Sequence, residues 1–503
     1  MNSKQTSSFI VSDRWSYLWL AIAAVLMLFA NGKWIITPAT WLVPVFTIRF
    51  MRSQKVGKGY LLVVLTTIVP HLIAWDVQLF SSSLAVIVTS IITTVVWILL
   101  MNLSLLVDRL LYPRLQVHSQ GAFVTTLIYP LAATALEFII TSVNPAGSWL
   151  AIAYTQYGNL PLMQLVSLAG LWGISFLISW FGSVINWVWE QDFDWLAIRH
   201  GVGIYATVIL VVIFYGGARL VFPEPHAGTV RIASMTAVDL LAEAGTSEEI
   251  IQDRYFDWTI REAQAGAKII VWSEAAGTVE EEAEAALIER GQEVAKQEGI
   301  YLAMPIFVNH PDGPPRSIKN KLIIINPAGD IVLEHDKFCA TQFQEVRGDA
   351  ELRSVETPYG TLSGVICCDM DFPSVIRQAG QNGTDILLAP SLEPFSQHGQ
   401  MHMRMAVFRA VENGISIVRQ ADNGLSMATD PHGRVLAQVD HFTSSERVMV
   451  AQVPTQGVST LYPVVGDMFG WLSIVGVGVL VGWTVILRRK TTRAESIAPE
   501  GQK

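Results

Sequence analysis

Residues 360–373, GTLSGVICCDMDFP, read as a short apolar strand that runs into two adjacent cysteines and two acids. A strand ending on chemically useful side chains is the signature of an α/β layer, where reacting groups gather at strand ends. Cysteine is scarce, with Cys339 the only one outside this stretch. Three cysteines, two of them adjacent, give no disulfide framework, and no Cys/His spacing suggests zinc.

Upstream and downstream of the pair, short apolar strands alternate with amphipathic helices. TVRIASMTA (229–237) and KIIVWSE (268–274) read as strands, and Ser247 as the N-cap of a helix over 247–267. An acidic helix is expected near 279–298, then a strand at 300–308. KLIIINPAGDIVLEHDK (321–337) is a hairpin turning on Asn326-Pro327-Ala328-Gly329-Asp330, and MHMRMAVFRAVENG (401–414) a helix with a glycine stop. Glu274, Lys337 and Cys367 therefore stand at the ends of three strands. A thiol becomes a strong nucleophile when a carboxylate takes its proton and a cation favours the anion, so the three residue types suit covalent acyl chemistry. Equally, a strand-end Glu and Lys can be solvated and a buried Cys inert, so spacing alone leaves both readings open.

The rest of the chain is of another kind. Of 503 residues, 51% are hydrophobic and 15% charged, which places the chain in the membrane class. Apolar runs near 15–32, 34–50, 59–76, 79–106, 121–143, 160–188 and 201–222 approach the length that a helix needs to cross hydrocarbon, and an eighth covers about 467–487. Tight breaks at 32–33 and 77–78 predict antiparallel hairpins. No cleavable leader is expected, because the first run leads straight into the second. Lys4, Arg14, Arg49, Arg52, Lys55, Lys58, Arg109, Arg114, Arg199 and the tail Arg488–Lys490 and Arg493 fall on one side if there are eight crossings. The expected plan is a seven-helix region (1–222), an α/β domain (223–466) outside the cytoplasm, a final span (467–487) and a cytoplasmic tail (488–503). The net charge of −9 argues against a nucleic-acid partner.

Glu in WSE, Lys in HDK and Cys in GVICCD followed by FP occur in the order of the nitrilase superfamily. With the membrane flanks, the chain resembles the apolipoprotein N-acyltransferase family. WLVPVF (41–46), ALEF (135–138), SWLAIAYTQYGNLPLMQL (148–165), GLWGISFLISW (170–180), FRAVENG (408–414), DNGLSMATDPHGRV (422–435) and TLYPVVGD (460–467) carry that resemblance along nearly the whole length. It implies a multi-pass helical membrane bundle joined to an extracytoplasmic αββα sandwich in a cytoplasmic (inner) membrane. It also implies acyl transfer from a membrane phospholipid, through a cysteine thioester, to the N-terminal amine of a lipid-modified lipoprotein, without metal or organic cofactor. Glu274 would be the general base, Lys337 the oxyanion and thiolate partner and Cys367 the nucleophile. Glu345, Asp369, Cys368 and Asn320 would support them, and Trp272, Phe343, His402 and Glu137 would bind substrate. A membrane-tethered amidase and an inactive relative are the alternatives.

The chain departs from the family's pattern in several places. Cys368 stands where an aromatic residue is usual; the resemblance assigns the nucleophile to Cys367, and Cys368, on the opposite face of an extended segment, is read as packing. FCATQFQ (338–344) and SLEPF (391–395) replace family segments, and Ile140 stands in place of an arginine. Cys339 has two readings: a space-filling residue, or a redox partner that pairs with Cys367 or Cys368 and shuts the enzyme off. Glu137, an acid inside an apolar run, calls for a partner or a function, and the sequence names no partner.

Overall fold

The computed structural model describes residues 11–75, 84–119, 122–222, 228–237, 247–309, 318–339, 345–393, 396–422, 424–444 and 447–497. The break at 77–78 and Phe343 lie outside them.

The apolar runs form helices α1 (Ser16–Ala30), α2 (Thr37–Arg52), α3 (Val56–Ala74), α4 (Leu84–Ser119), α5 (Ile128–Val143, entered through a 3-10 turn), α6 (Leu160–Met163), α7 (Val166–Glu190) and α8 (Trp195–Val221). A last long helix covers Met468–Ile497. Among the described residues six segments are long and apolar enough to cross a membrane: Val56–Ala74, Ile87–Gln116, Phe123–Val143, Val166–Glu190, Trp195–Val221 and Met468–Leu487. The chain is a membrane protein. The runs at 15–32 and 34–50 give shorter helices, of 15 and 16 residues. The run expected over 160–188 is broken: Gly170 has φ +60, and an added Cβ there would meet the Tyr462 ring at 2.6 Å.

Polar groups at one end of the bundle are paired with each other. Arg52 lies 2.8 Å from Asp108 and 3.2 Å from Glu190, and Arg49 lies 2.7 Å from Asp13. The start of α1 and the ends of α2 and α7 thus meet the later part of α4 on one face. Arg49 and Arg52, which the sequence presents as loop charges, are buried members of these pairs. A buried charge left without its counterion is costly, so these contacts fix which helix ends lie together.

Among the described residues the α/β region has two large sheets. The first runs β15-β1-β2-β4-β5-β6, with β3 beside β4: β1 Thr229–Met235, β2 Ile269–Trp272, β3 Gly277–Glu280, β4 Tyr301–Asn309, β5 Ile318–Ile325, β6 Ile331–Asp336 and β15 Val448–Pro454. The second runs β14-β13-β11-β9-β8-β7: β7 Ser354–Thr357, β8 Gly360–Gly364, β9 Ile386–Leu388, β11 Ser416–Arg419, β13 Leu425–Thr429 and β14 Val435–Asp440. A small pair, β10 (Ser391–Leu392) and β12 (Ala421–Asp422), stands apart. The strand period of two sorts side chains between layers. Ile269 and Val271 join Leu322, Ile324, Leu362, Leu388 and Val418 between the sheets. Ile270 and Trp272 pack outward on Tyr255 and Phe256 of the helix Glu248–Gln264. Helices Pro373–Gln381 and Ser396–Asn413 cover the other sheet. This is an αββα sandwich. Ser247 accepts from the Ile250 amide, as its N-cap reading requires, and the β5–β6 hairpin forms at the expected turn.

The sandwich sits on the bundle end opposite the Arg52 pairs. Gln164 donates to the His432 carbonyl at 2.9 Å, Leu461 N to the Ser167 carbonyl at 3.0 Å, and the Trp172 indole to Asp467 at 2.7 Å. Between α5 and α6 the chain touches the sandwich directly: Ser148 donates twice to the Asp371 carbonyl, from its amide and its hydroxyl, both at 2.8 Å. Gly147 is required there, since φ is +56 and an added Cβ would lie 2.3 Å from the Asp371 oxygen. Gly147→Ala should lower stability by about 1–3 kcal/mol, from left-handed backbone strain plus overpacking. Gly203→Ala, in α8 with nothing within 4 Å of the new methyl, should be neutral. Thermal unfolding of the two variants in detergent checks this.

Candidate active site

Glu274 follows β2 by two residues, Lys337 follows β6 directly and Cys367 follows β8 by three. The carboxylate and ammonium therefore come from one sheet and the thiol from the other. Cys367 is not on an extended segment, as the reading of Cys368 assumed. It opens a 3-10 turn, Cys367–Asp371, with φ +50, a left-handed conformation costly for a residue with a Cβ. The cysteine amide is held by the Pro390 carbonyl at 2.8 Å.

The backbone of one residue, Leu392, links thiol and base. The Leu392 carbonyl accepts from Cys367 Sγ at 3.5 Å, and the Leu392 amide donates to Glu274 Oε2 at 2.7 Å. The other Glu274 oxygen accepts from Lys337 Nζ and Asn320 Nδ2, both at 2.8 Å. Glu345 Oε1 accepts from the same two donors, at 2.9 and 2.8 Å. Asn320 reaches them because it shares the inner face of β5 with Leu322 and Ile324. Glu345 is placed by a bridge to Ile318, the first residue of β5. Expected site residues Glu274, Lys337, Asn320 and Glu345 thus form one buried cluster with Cys367 beside it.

Burial shapes the proton affinities. Burial pushes the Cys367 thiol well above the ordinary range and the Glu274 charge adds to this, while Lys337 and Arg419 pull it back. At neutral pH the sulfur is a thiol, and a base must take its proton as it attacks. Burial opposes the Lys337 charge, but the carboxylates of Glu274 and Glu345 outweigh it and hold the ammonium protonated. Burial raises the Glu345 carboxyl.

Asp369 does not face this cluster. Its carboxylate accepts from Phe338 N (3.0 Å), Cys339 N (2.7 Å) and Ile366 N (3.0 Å), and lies 2.9 Å from His335 Nε2. It ties the segment after Lys337 to the turn that bears Cys367. A disulfide, Cys339–Cys368, joins the same two segments and leaves Cys367 free. The packing readings of Cys339 and Cys368 are corrected by this bond, and so is the pairing of Cys339 with Cys367.

Three further expectations meet the structure differently. Trp272 is not in the site: it is fully buried under helix Glu248–Gln264 and donates to Thr259 Oγ1 at 2.9 Å, because its strand parity points it outward. His402 lies between two carboxylates, 2.8 Å from Glu393 and 3.2 Å from Asp371, with Trp149 edge-on at 4.4 Å. Glu393 also pairs with Arg419. The sequence reading gave no role to Asp371, Glu393 or Arg419, although Asp371 is the second acid of GTLSGVICCDMDFP and Glu393 stands in SLEPF. Glu137 has its partner: it accepts from the Ile152 amide at 2.7 Å and lines a cavity of about 250 Å³ in the helical bundle.

Residues 228–462 match the family described as carbon-nitrogen hydrolase, so the sandwich is a carbon-nitrogen hydrolase domain carried by membrane helices. Within that class the chain is similar, over most of its length, to apolipoprotein N-acyltransferases. It is 25% identical to the apolipoprotein N-acyltransferase of Geobacter metallireducens, over 80% of this chain and 84% of that one. The corresponding values for the Shewanella oneidensis protein of the same name are 23%, 73% and 75%. Among solved structures, an amidase from Nesterenkonia sp. is 20% identical, covering 47% of this chain and 94% of its own, with a TM-score of 0.39.

The electrostatics make opposite predictions for two variants at high pH. Iodoacetamide should alkylate Cys367 slowly at pH 7–8 and faster as pH rises beyond the ordinary thiol range. At pH 7–8, where Glu274 must take the thiol proton, Glu274→Gln should slow alkylation; at pH beyond the ordinary thiol range, where the thiolate forms without it, loss of a charge that disfavours the thiolate should speed alkylation, and Lys337→Met, which removes a charge that favours it, should slow it throughout. Rates followed by mass spectrometry of the Cys367 peptide decide the signs.

Proposed function

We propose that the chain moves a fatty acyl group from a membrane phospholipid to the N-terminal α-amine of a lipid-modified lipoprotein cysteine, through a thioester on Cys367. The observation that carries this is the buried thiol, carboxylate and ammonium set in a domain seated on membrane helices. Cys367 Sγ attacks the ester carbonyl while Glu274 takes the thiol proton, and Lys337 stabilises the oxyanion. As the tetrahedral intermediate collapses, the C–O bond breaks and Glu274 returns that proton to the departing lysophospholipid hydroxyl. The acceptor amine, in its neutral form, then attacks the thioester. Glu274 takes the proton from nitrogen and gives it to the sulfur as the C–S bond breaks, leaving an amide and the starting thiol. Glu345 and Asn320 hold Glu274 and Lys337 in place. His402 and Glu137 are read as groups that face substrate on either side of the 144–158 segment.

Both substrates are anchored in a bilayer, so a site seated on the membrane raises their effective concentration. Eight crossings, with α1 and α2 counted as spans, put both termini in the cytoplasm and residues 223–466 on the outer face of the cytoplasmic membrane. The disulfide supports that side, because such bonds persist outside the reducing cytoplasm.

The purified chain, given labelled phospholipid and a diacylated lipopeptide, should yield triacylated product with ping-pong kinetics; release of free acid alone would assign it to hydrolysis instead. Cys367→Ser should abolish turnover. Glu274→Gln should cost about 10²–10⁴-fold and Lys337→Met about 10²–10³-fold in kcat. Mass spectrometry of donor-treated enzyme should find the acyl group on Cys367 in the absence of acceptor.

A further inference from the structure

We propose that the Cys339–Cys368 disulfide is a positioning element of the acyl-transfer centre, and that its reduction slows acylation of Cys367 while leaving that thiol chemically intact. The inference rests on Cys367 as nucleophile, and not on the identity of the acceptor.

The bond lies on the shortest covalent route between the two reacting groups. Lys337 stands two residues before Cys339 and Cys367 one before Cys368, whereas the chain itself separates the bridged residues by 29 positions. The two segments come from different sheets, β6 and β8, and are strand-end segments rather than ladder strands. Their registration therefore depends on what crosses between them. Among the ties that do so are the Asp369 carboxylate, which gathers the Phe338, Cys339 and Ile366 amides, and the disulfide. The carboxylate tie consists of hydrogen bonds that can lengthen; the disulfide limits how far they can.

The turn it restrains is one that resists its own geometry. Cys367 holds φ +50, and such a residue persists only when its surroundings over-determine it. Pro390 holds its amide on one side. The neighbouring Cys368, covalently fixed to Cys339, holds the other. Released from that bond, the turn can relax toward ordinary backbone and carry Sγ away from the Leu392 carbonyl and the Glu274 carboxylate. A displacement of about 1 Å can cost roughly 10²-fold in rate without disturbing the rest of a site.

Reduction by a trialkylphosphine is balanced: the S–S bond takes two electrons and two protons to give two thiols, and the phosphine takes oxygen from water. Oxidised glutathione reverses it by two thiol–disulfide exchanges. The high proton affinity of Cys367 disfavours its own attack on Cys339, which would exchange the partners and consume the nucleophile.

The test uses the full chain in detergent with a p-nitrophenyl fatty ester, whose nitrophenol release reports acylation of Cys367 before any acceptor is involved. A non-reducing peptide map should join Cys339 to Cys368 and find Cys367 free. Phosphine treatment should lower the acylation rate about 10- to 100-fold with the ester KM changed by less than about threefold, and reoxidation should restore it. The double variant Cys339→Ser/Cys368→Ser should show the reduced rate and ignore phosphine. If it does not fold, phosphine titration of the wild-type chain, held below its melting temperature, gives the same answer. Full-rate acylation by the reduced enzyme, or a map joining Cys339 to Cys367, overturns the proposal. Persistence of the redox effect in an enzyme that makes no amide would sink the acyl-transfer reading and leave this one standing.

Discussion

The contact on which the site depends is the Asp369 carboxylate, which accepts from the amides of Phe338, Cys339 and Ile366 while facing His335. It is completely buried, and a buried carboxylate is tolerable only when fixed donors replace water. Those donors belong to two chain segments from two sheets, so satisfying one charge forces the lysine segment against the cysteine turn. Asp369, two positions after Cys367, serves architecture, and the proposed chemistry is left to Glu274.

A second constraint follows from burial. The set Glu274, Lys337, Asn320 and Glu345 is nearly inaccessible, and its hydrogen bonds are shared pairwise, each of two donors serving both carboxylates. Such a network is rigid, because moving any member leaves another with a buried unmet partner. Rigidity suits a centre whose thiol is protonated at rest. In the proposed mechanism the nucleophile is made at the moment of attack, by a base already aimed and a cation already in place, and the Leu392 backbone spaces base from sulfur.

The membrane bundle takes part in this design through the segment between α5 and α6. One face of it meets the sandwich, with Ser148 on the Asp371 carbonyl and Trp149 on His402. Its other face meets the bundle, with the Ile152 amide on Glu137 and the Leu150 carbonyl accepting from Asn31. The few residues 148–152 thus form a partition between the helical cavity and the nucleophile turn. A lipid-modifying site built here has its polar chemistry above the partition and apolar helices below it.

What the sequence determined by itself was everything that rests on local repetition. Run length marked the helices at 16–30, 37–52, 56–74 and beyond, and strand alternation with turn residues marked the sandwich, because hydropathy period depends on near neighbours alone. The order of Glu274, Lys337 and Cys367 at strand ends was legible for the same reason. Tertiary structure decided what depends on distant pairs. The parity of β2 turned Trp272 outward into the core, while Glu274, two positions on and past the strand's end, entered the site. Packing placed Cys339 against Cys368 across 29 residues and set Leu392 between Glu274 and Cys367, 118 residues from the former. It also assembled His402 with Asp371, Glu393 and Arg419, which no spacing announces. Those pairings, and the burial that governs the thiol's proton, exist only once two sheets close on each other, since neither charge nor solvent exclusion is a property of a single strand.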